Sequence, residues 1–302
     1  MNNIRCNLGR VITAMVTPFK PDLSIDFDSL EKMVNHLIST GSDAILIAGT
    51  TGETPTLSHE EEEEIFAFVK KTVNGRVKLI MGAGSNSTET AVNSSLMAKN
   101  LGADAILSVV PYYNKPSQKG MYEHFSAVAK AVDLPVILYN IPGRTGVNMQ
   151  PVTIAKLANE YKNIVAVKQS NSDLDLISDI KMLCPQDFVI YSGDDSLTIP
   201  MMSLGAYGVI SVASHIAGSE IKEMINAFVE GKNEEALKLH LKLYPLFRKL
   251  FMAPNPVPVK AALEYTGIIR EYVRKPLVVL DEDEKKELFS VLDKYLNSTL
   301  KN

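Results

Sequence analysis

The sequence predicts an α/β protein, a (β/α)8 TIM barrel with a C-terminal helical extension. Eight short, β-branched apolar runs alternate with longer amphipathic runs. Each apolar run is nearly continuous, which is typical of parallel strands covered on both faces. The first run ends in Thr17-Pro18-Phe19 and lacks the glycine-rich turn of a dinucleotide-binding sheet. An open doubly wound sheet is the alternative, although it usually has fewer strands than eight.

The predicted strands are short, as strands of a barrel are, and helical segments separate them. They are Val11–Thr17, Ala44–Ala48, Val77–Met81, Ala105–Val110, Pro135–Asn140, Ile164–Lys168, Phe188–Ser192 and Gly208–Ala213.

The segments between the strands carry helix signals. Ser58 and Glu61 have the spacing of a capping box, and Gly75 is a C-terminal stop for the helix that Ser58 begins. The other predicted helices of the repeat are Asp28–Ser39, Thr88–Asn100, Gln118–Val132, Val152–Tyr161, Leu174–Leu183, Leu197–Leu204 and Ser219–Val229.

A weak internal repeat supports the barrel. Similar short segments begin at Gly41, Gly102 and Gly205, and each joins the end of a helix to a buried strand. Beyond the eighth strand, three further helices are predicted. We therefore expect a catalytic barrel in residues 1–230 and a helical bundle packed on it in residues 231–302. The three helices are Asn233–Met252, Val257–Tyr265 and Asp283–Leu296.

Composition excludes several classes of function. The chain has 302 residues and a formal charge of −4, so it is a poor candidate for binding nucleic acid or an anionic membrane. The two cysteines, Cys6 and Cys184, are too few for a disulfide scaffold or a cysteine zinc site, and reduced thiols favour the cytoplasm. No apolar run reaches the roughly 18 residues of a membrane span. The five histidines form no close-spaced pair, so we do not expect a metal-dependent aldolase.

Lys168 is the most informative residue. It ends an apolar strand, and strict alternation puts it on one face with Ile164 and Ala166. If that face is the barrel interior, desolvation disfavours the charged amine and makes it a nucleophile for a carbonyl. A lysine at a strand end can instead extend its amine into solvent.

Other polar side chains are predicted at the same mouth, since active sites of such barrels lie at the C-terminal ends of the strands. Tyr139 and Tyr113 can pass protons to an imine. Thr50 and Thr51 can bind a small carboxylate, and Arg144 can clamp a second one. Each residue alone has an ordinary structural interpretation, but their joint placement favours a site.

The motifs that carry these residues resemble the dihydrodipicolinate synthase family, within the superfamily that includes N-acetylneuraminate lyase. The resemblance runs from about Gly9 to the C-terminal helices. Its motifs are Gly49-Thr50-Thr51-Gly52-Glu53, Pro111-Tyr112-Tyr113-Asn114-Lys115-Pro116, Tyr139-Asn140-Ile141-Pro142-Gly143-Arg144-Thr145-Gly146, Lys168, and Asn255-Pro256-Val257-Pro258-Val259-Lys260.

This resemblance implies a lysine Schiff base with pyruvate on Lys168. The derived enamine would attack aspartate-4-semialdehyde, and cyclisation would give 4-hydroxy-tetrahydrodipicolinate for lysine and diaminopimelate biosynthesis. Tyr139, Thr50 and Tyr113 would form the proton relay, with Tyr113 contributed across a tight dimer interface.

The same resemblance implies the binding residues and the assembly. Thr51 would hold the carboxylate of pyruvate and Arg144 that of the semialdehyde, while the backbones of Gly193 and Ile210 would line the pocket. The implied assembly is a homotetramer, a dimer of tight dimers, with no cofactor or metal.

Two departures from the family pattern matter. Gln169 follows Lys168 where the family usually has glutamate, and Lys-Gln is closer to neuraminate lyase. One alternative is therefore an aldolase for N-acetylneuraminate or a 2-keto-3-deoxy acid. A separate alternative, of a different class, is a non-catalytic pyruvate-binding paralogue. The second departure lies in a lysine feedback site that some members carry. His59, Asn86 and Tyr112 match that site but Glu62 and Thr90 do not, so we expect weak or absent inhibition by lysine.

Overall fold

The computed structural model describes residues 4–299 and confirms the predicted barrel. Eight strands are hydrogen-bonded to their neighbours in chain order, and the series closes into a barrel. They are β1 (Val11–Ala14), β2 (Ala44–Ile47), β3 (Lys78–Gly82), β4 (Ala105–Val109), β5 (Val136–Asn140), β6 (Ile164–Gln169), β7 (Val189–Ser192) and β8 (Gly208–Ser211).

Twelve α-helices lie between and after these strands within the described residues. Their bounds are α1 (Phe27–Ser39), α2 (His59–Val73), α3 (Thr88–Leu101), α4 (Gln118–Ala131), α5 (Pro142–Thr145), α6 (Pro151–Glu160), α7 (Asp175–Leu183), α8 (Thr198–Ser203), α9 (Ser214–Val229), α10 (Asn233–Lys249), α11 (Val257–Tyr265) and α12 (Glu282–Thr299). None of the helices in residues 4–299 is long and apolar enough to cross a membrane.

Local signals in the sequence account for most helix boundaries. Ser58 and Glu61 form the predicted capping box of α2. That helix ends at Val73, because Asn74 takes the left-handed conformation one residue before the predicted stop at Gly75. The repeated joints are confirmed, since Gly41, Gly102 and Gly205 have φ values of 100°, 76° and 97°. A side chain is strained in that region of φ, which is why glycine recurs there.

Several predicted boundaries were wrong by one to five residues, and for two of them the structure shows how the chain departs from the prediction. β1 was predicted to run to Thr17 but ends at Ala14, because the backbone N–H of Val16 donates to the ring of His215 at 3.2 Å instead of to a strand. α9 was predicted to begin at Ser219 but begins at Ser214, with a non-helical residue inside it at Ala217 (φ −124°, ψ 36°).

The described residues form two compact units. The first consists of residues 4–10 and 78–210, which carry β3 to β7, most of β8, and helices α3 to α8. The second consists of residues 11–77 and 211–299, which carry β1, β2, α1, α2 and the four C-terminal helices. In the second unit α10 packs against α9 and α12. The expected division at residue 230 stays a prediction.

Candidate active site

Lys168 and Tyr139 form the centre of the candidate site in the first unit. They are direct partners across the parallel pair of β5 and β6. The Lys168 nitrogen lies 4.3 Å from the centroid of the Tyr139 ring. Each residue is only 6% exposed. The lysine is therefore largely withdrawn from solvent, as the sequence argument required, and an aromatic face with a hydroxyl covers it.

A second buried lysine shows what is unusual about Lys168. Lys260 is fully buried, forms an ion pair with Glu53 and donates to the carbonyl of Tyr272 at 2.7 Å. Within residues 4–299, no carboxylate lies within ion-pair distance of the Lys168 nitrogen. A buried ammonium without a counter-ion is costly. Lys260 therefore has the surroundings of a structural lysine, whereas Lys168 has those of a reactive amine.

Gly193 leaves the space that the Lys168 side chain occupies. A Cβ at residue 193 would lie 2.9 Å from Cε and 3.1 Å from Cγ of Lys168, and it would overlap the hydroxyl of Ser170. Real Cβ atoms essentially never lie closer than 3.0 Å to another atom, so a side chain at residue 193 would displace Ser170 and the end of Lys168. The sequence singled out Gly193 only through the family resemblance, and the structure adds this steric reason.

The strand that carries Lys168 is irregular. Ile164 pairs with Val136, but the next pair joins Ala166 to Ile137, so Val165 is skipped. The strict alternation predicted from Ile164 therefore holds only from Ala166 to Lys168. The register between β5 and β6 therefore shifts by one residue before Lys168.

Gln169 faces a different neighbourhood from Lys168. Its side-chain oxygen accepts a hydrogen bond from the Asn140 amide at 3.1 Å. The same amide donates to Asn148 at 2.7 Å, and the Asn140 oxygen accepts from the N–H of Met149 at 3.0 Å. Gln169 thus helps to fix the loop after β5.

That loop carries Arg144, one residue of the short helix α5. Gly146 ends α5 with φ 73°, and its N–H donates to Pro142 at 2.9 Å. Arg144 is exposed, and none of the described residues forms an ion pair with it. A fixed loop thus presents a guanidinium that is available to a carboxylate, although the structure describes no contact between Arg144 and Lys168.

Tyr113 has an unusual backbone. Its φ is 71°, and the N–H of Asn114 donates to the carbonyl of Tyr112 at 2.8 Å, closing a three-residue turn around it. Such turns are rare and strained, and strain of this kind gathers at functional sites. The side chain is 89% exposed, so in a single chain it does not pack beside Lys168 and Tyr139.

Thr50 and Thr51 lie in the second unit, on a short 3-10 helix (Thr50–Gly52) after β2. The hydroxyl of Thr51 accepts a hydrogen bond from the side-chain amide of Asn255 at 2.9 Å. Thr51 is 4% exposed, and Thr50 is half-buried. Asn255 was quoted only as part of a motif, and its partner was not predicted.

Glu53 anchors the same loop. It takes a left-handed conformation with φ 60°, and its carboxylate pairs with Lys260 and accepts from the backbone N–H of Arg274 at 2.9 Å. Burial lowers the pKa of the Lys260 amine to about 8, and the Glu53 carboxylate opposes this shift. Two motifs far apart in the sequence are therefore joined by one hydrogen bond and one ion pair.

The remaining site residue, Ile210, lies on β8 and is 1% exposed. The structure thus brings Lys168, Tyr139 and Gly193 together. Thr50 and Thr51 lie in the second unit, on the loop that Asn255 and Glu53 help to fix. In residues 4–299, no group of three or more histidine, cysteine, aspartate or glutamate side chains could hold a metal ion.

Residues 7–295 match the Dihydrodipicolinate synthetase family. The chain belongs to this family. Among curated relatives, the chain is 52% identical over 285 residues to the 4-hydroxy-tetrahydrodipicolinate synthase of Microcystis aeruginosa. This match covers 94% of this chain and 96% of the relative. It is 48% identical over 286 residues to the 4-hydroxy-tetrahydrodipicolinate synthase of Bacillus subtilis, and this match covers 95% of this chain and 99% of the relative.

A solved structure of the same family agrees. The chloride-inhibited dihydrodipicolinate synthase of Acinetobacter baumannii, complexed with pyruvate, matches with a TM-score of 0.93 at 40% identity. The match covers 96% of this chain and 99% of that one. The family that the sequence motifs indicated is thereby confirmed.

Proposed function

We propose that this chain is a 4-hydroxy-tetrahydrodipicolinate synthase, a lyase that condenses pyruvate with L-aspartate-4-semialdehyde through a Schiff base on Lys168. The observation that carries the proposal is a buried lysine that has no counter-ion in the described residues and lies against the ring of Tyr139. The names of the curated relatives, at about half identity over nearly the whole chain, support the same reaction.

The first chemical step uses the amine of Lys168. The nitrogen adds to the ketone carbon of pyruvate, and the carbonyl oxygen takes up a proton to give a carbinolamine. Water then leaves, and the C=N bond forms. Loss of a methyl proton gives an enamine, which attacks the aldehyde of the second substrate. An amine that is withdrawn from solvent and lies against the ring of Tyr139 is placed to act as a nucleophile toward a bound ketone.

In this proposal, protons are transferred by a relay of three side chains, Tyr139, Thr50 and Tyr113. The position of Tyr139 beside Lys168 supports its part directly. Tyr113 acts across a dimer interface, and its exposed side chain on a strained turn supports that assignment, because a second copy would bury it. We accordingly propose a homotetramer built from tight dimers. Light scattering coupled to size exclusion tests the assembly, and a monomer at micromolar concentration would contradict it.

The two carboxylates of the substrates are assigned to different groups. Thr51, held by Asn255, receives the carboxylate of pyruvate, and the exposed Arg144 receives that of the semialdehyde. The backbones of Gly193 and Ile210 line the pocket. Gln169, which favoured the sugar-acid alternative, uses its side-chain oxygen on Asn140, so it offers that alternative no support.

Borohydride reduction in the presence of pyruvate, followed by peptide mass mapping, tests the Schiff base. We expect one modified residue, Lys168. Turnover is then measured with pyruvate plus semialdehyde, and in parallel with N-acetylneuraminate and 2-keto-3-deoxy acids. Cleavage of a keto-deoxy acid without turnover of the semialdehyde would reject the proposal, as would pyruvate binding without condensation. The biosynthetic role and the reduced thiols support a cytoplasmic location.

A further inference from the structure

Ser170 lies two residues after Lys168, just beyond the end of β6. Its backbone N–H donates to the carbonyl of Asn140 at 2.9 Å, so the ladder between β5 and β6 continues to this residue. Residues 168 and 170 therefore face the same side of the sheet. The Ser170 hydroxyl and the Lys168 Cε both border the point where a Cβ of residue 193 would stand. The hydroxyl and the end of the lysine are thus neighbours above Gly193.

The hydroxyl of Ser170 is buried and has no hydrogen-bond partner within residues 4–299. A buried polar group without a partner is costly, and such groups in native structures call for an explanation. The neighbouring lysine supplies one, because a substrate bound covalently to the amine would bring new polar atoms beside Cε. The oxygen of a carbinolamine lies two bonds from the amine nitrogen.

We propose that Ser170 is a further substrate-contacting residue, whose hydroxyl hydrogen-bonds the departing oxygen of the carbinolamine on Lys168. This inference rests on the proposed function. In the step, the amine adds to the ketone carbon, a C–N bond forms, and the nitrogen's proton ends on the former carbonyl oxygen. The C–O bond then breaks, the nitrogen lone pair completes C=N, and the oxygen takes one proton from Tyr139 and leaves as water. Ser170 stabilises that oxygen and exchanges no proton.

The variant Ser170→Ala tests this role. A neutral hydrogen bond contributes about 0.5–1.5 kcal/mol, so we expect imine formation with pyruvate to slow about two- to thirteenfold. The rate is measured in single-turnover reactions quenched with borohydride. The step with the semialdehyde, started from preformed imine, keeps the wild-type rate. The melting temperature of the variant also equals that of the wild type. A purely structural serine would not separate these two steps.

Ser108 supplies a matched control. Its hydroxyl is also buried and without a partner in residues 4–299. It precedes Val109, which pairs with Tyr139, so Ser108 faces the opposite side of the sheet. Ser108→Ala leaves imine formation unchanged.

The outcomes are distinct. Slow imine formation in Ser170→Ala alone supports the inference. Equal rates in both variants, equal slowing in both, or a defect confined to the semialdehyde step would each overturn it. If wild-type protein traps no pyruvate at all, the proposed function itself fails, and the inference fails with it.

Discussion

The side-chain amide of Asn255 donates a hydrogen bond to the hydroxyl of Thr51, at 2.9 Å and across 204 residues of sequence. Two residues further along the same loop, Glu53 pairs with Lys260, five residues after Asn255. The geometry of the loop that carries Thr50 and Thr51 is therefore set by the segment that begins α11. Loss of either contact therefore affects the loop of Thr51, the residue proposed to bind the pyruvate carboxylate, without removing any group proposed to contact substrate.

The ion pair of Glu53 and Lys260 gives a first prediction. Glu53→Gln leaves a fully buried ammonium without its counter-charge, so we expect it to lower the free energy of unfolding by about 3–5 kcal/mol. The double variant Glu53→Gln with Lys260→Met removes both charges, and we expect it to be more stable than Glu53→Gln alone. Urea denaturation of the four proteins of this cycle measures the coupling. Additive losses would show that the pair is not coupled.

Lys168→Ala abolishes imine formation and leaves the fold intact, because it removes a buried amine whose charge no described carboxylate balances. Borohydride trapping with pyruvate and circular dichroism check the two parts of this prediction. Lys162→Ala is the matched control, since Lys162 is exposed just before β6. Wild-type turnover by Lys168→Ala would end the Schiff-base proposal.

Arg144→Ala acts on the second substrate alone. A bidentate, charge-assisted hydrogen bond contributes about 1.5–3 kcal/mol, so we expect the KM for the semialdehyde to rise at least tenfold. Trapping of the pyruvate imine stays at the wild-type rate. Arg270, whose side chain is 70% exposed, provides the control variant Arg270→Ala. Equal loss in both steps would contradict the assigned role.

Gly193→Ala tests the space around the lysine. The added methyl group would overlap the Ser170 hydroxyl and displace Lys168 Cε, so the amine moves from its position over Tyr139. We expect imine formation to fall about 10²-fold, as small displacements of reacting groups do. Because both atoms belong to side chains that can shift, the melting temperature changes little. An active Gly193→Ala enzyme would show that the close packing is not required.

Acid pH destabilises the protein through His215. Burial lowers the pKa of its imidazole to about 4, and the neighbouring His36 lowers it further, whereas the hydrogen bond to the Val212 carbonyl acts in the opposite direction. Nε2 accepts from the N–H of Val16, so a second proton on the ring would break that bond. The unfolded state, with a pKa near 6.5, binds the proton first, so stability falls as the pH drops from about 6.5 to 4.

The loss attributable to His215 is about 3 kcal/mol, at 1.36 kcal/mol for each pKa unit. Chemical denaturation at several pH values measures it. His215→Gln reduces the slope in this interval and leaves the contribution of His124, whose pKa burial also lowers to about 4. The control His59→Gln, at an exposed side chain, keeps the wild-type slope. A wild-type stability that is constant between pH 6.5 and 4 would refute the prediction.

Much of the fold could be predicted from sequence because local signals repeat. Each strand is a buried apolar run, and Gly41, Gly102 and Gly205 mark joints where only glycine adopts the backbone conformation without strain. The end of β1 could not be predicted, because it depends on His215 accepting the N–H of Val16 from 199 residues away. Sequence periodicity carries no information about such a contact.

Part of the candidate site could be predicted from sequence, and part of it could not, for the same reason. Lys168, Tyr139 and Gly193 stand at strand ends, which can be located from the apolar runs. Ser170 was not predicted, since its importance depends on a packing contact with Gly193. The partners of Thr51 and Glu53 were not predicted either, although both lie in a motif that was quoted for the resemblance. Pairs of charged or polar residues in two distant motifs are the signal that could have found them.

The long separation between Thr51 and Asn255 also bears on synthesis. A ribosome adds roughly 5–20 residues per second, so the threonine loop emerges some ten to forty seconds before the side chains that hold it. A nascent chain that ends before residue 255 therefore lacks the hydrogen bond that holds Thr51, whatever the conformation of the strand that carries Lys168. On the proposed function, enzymatic competence arrives only with about the last sixth of translation.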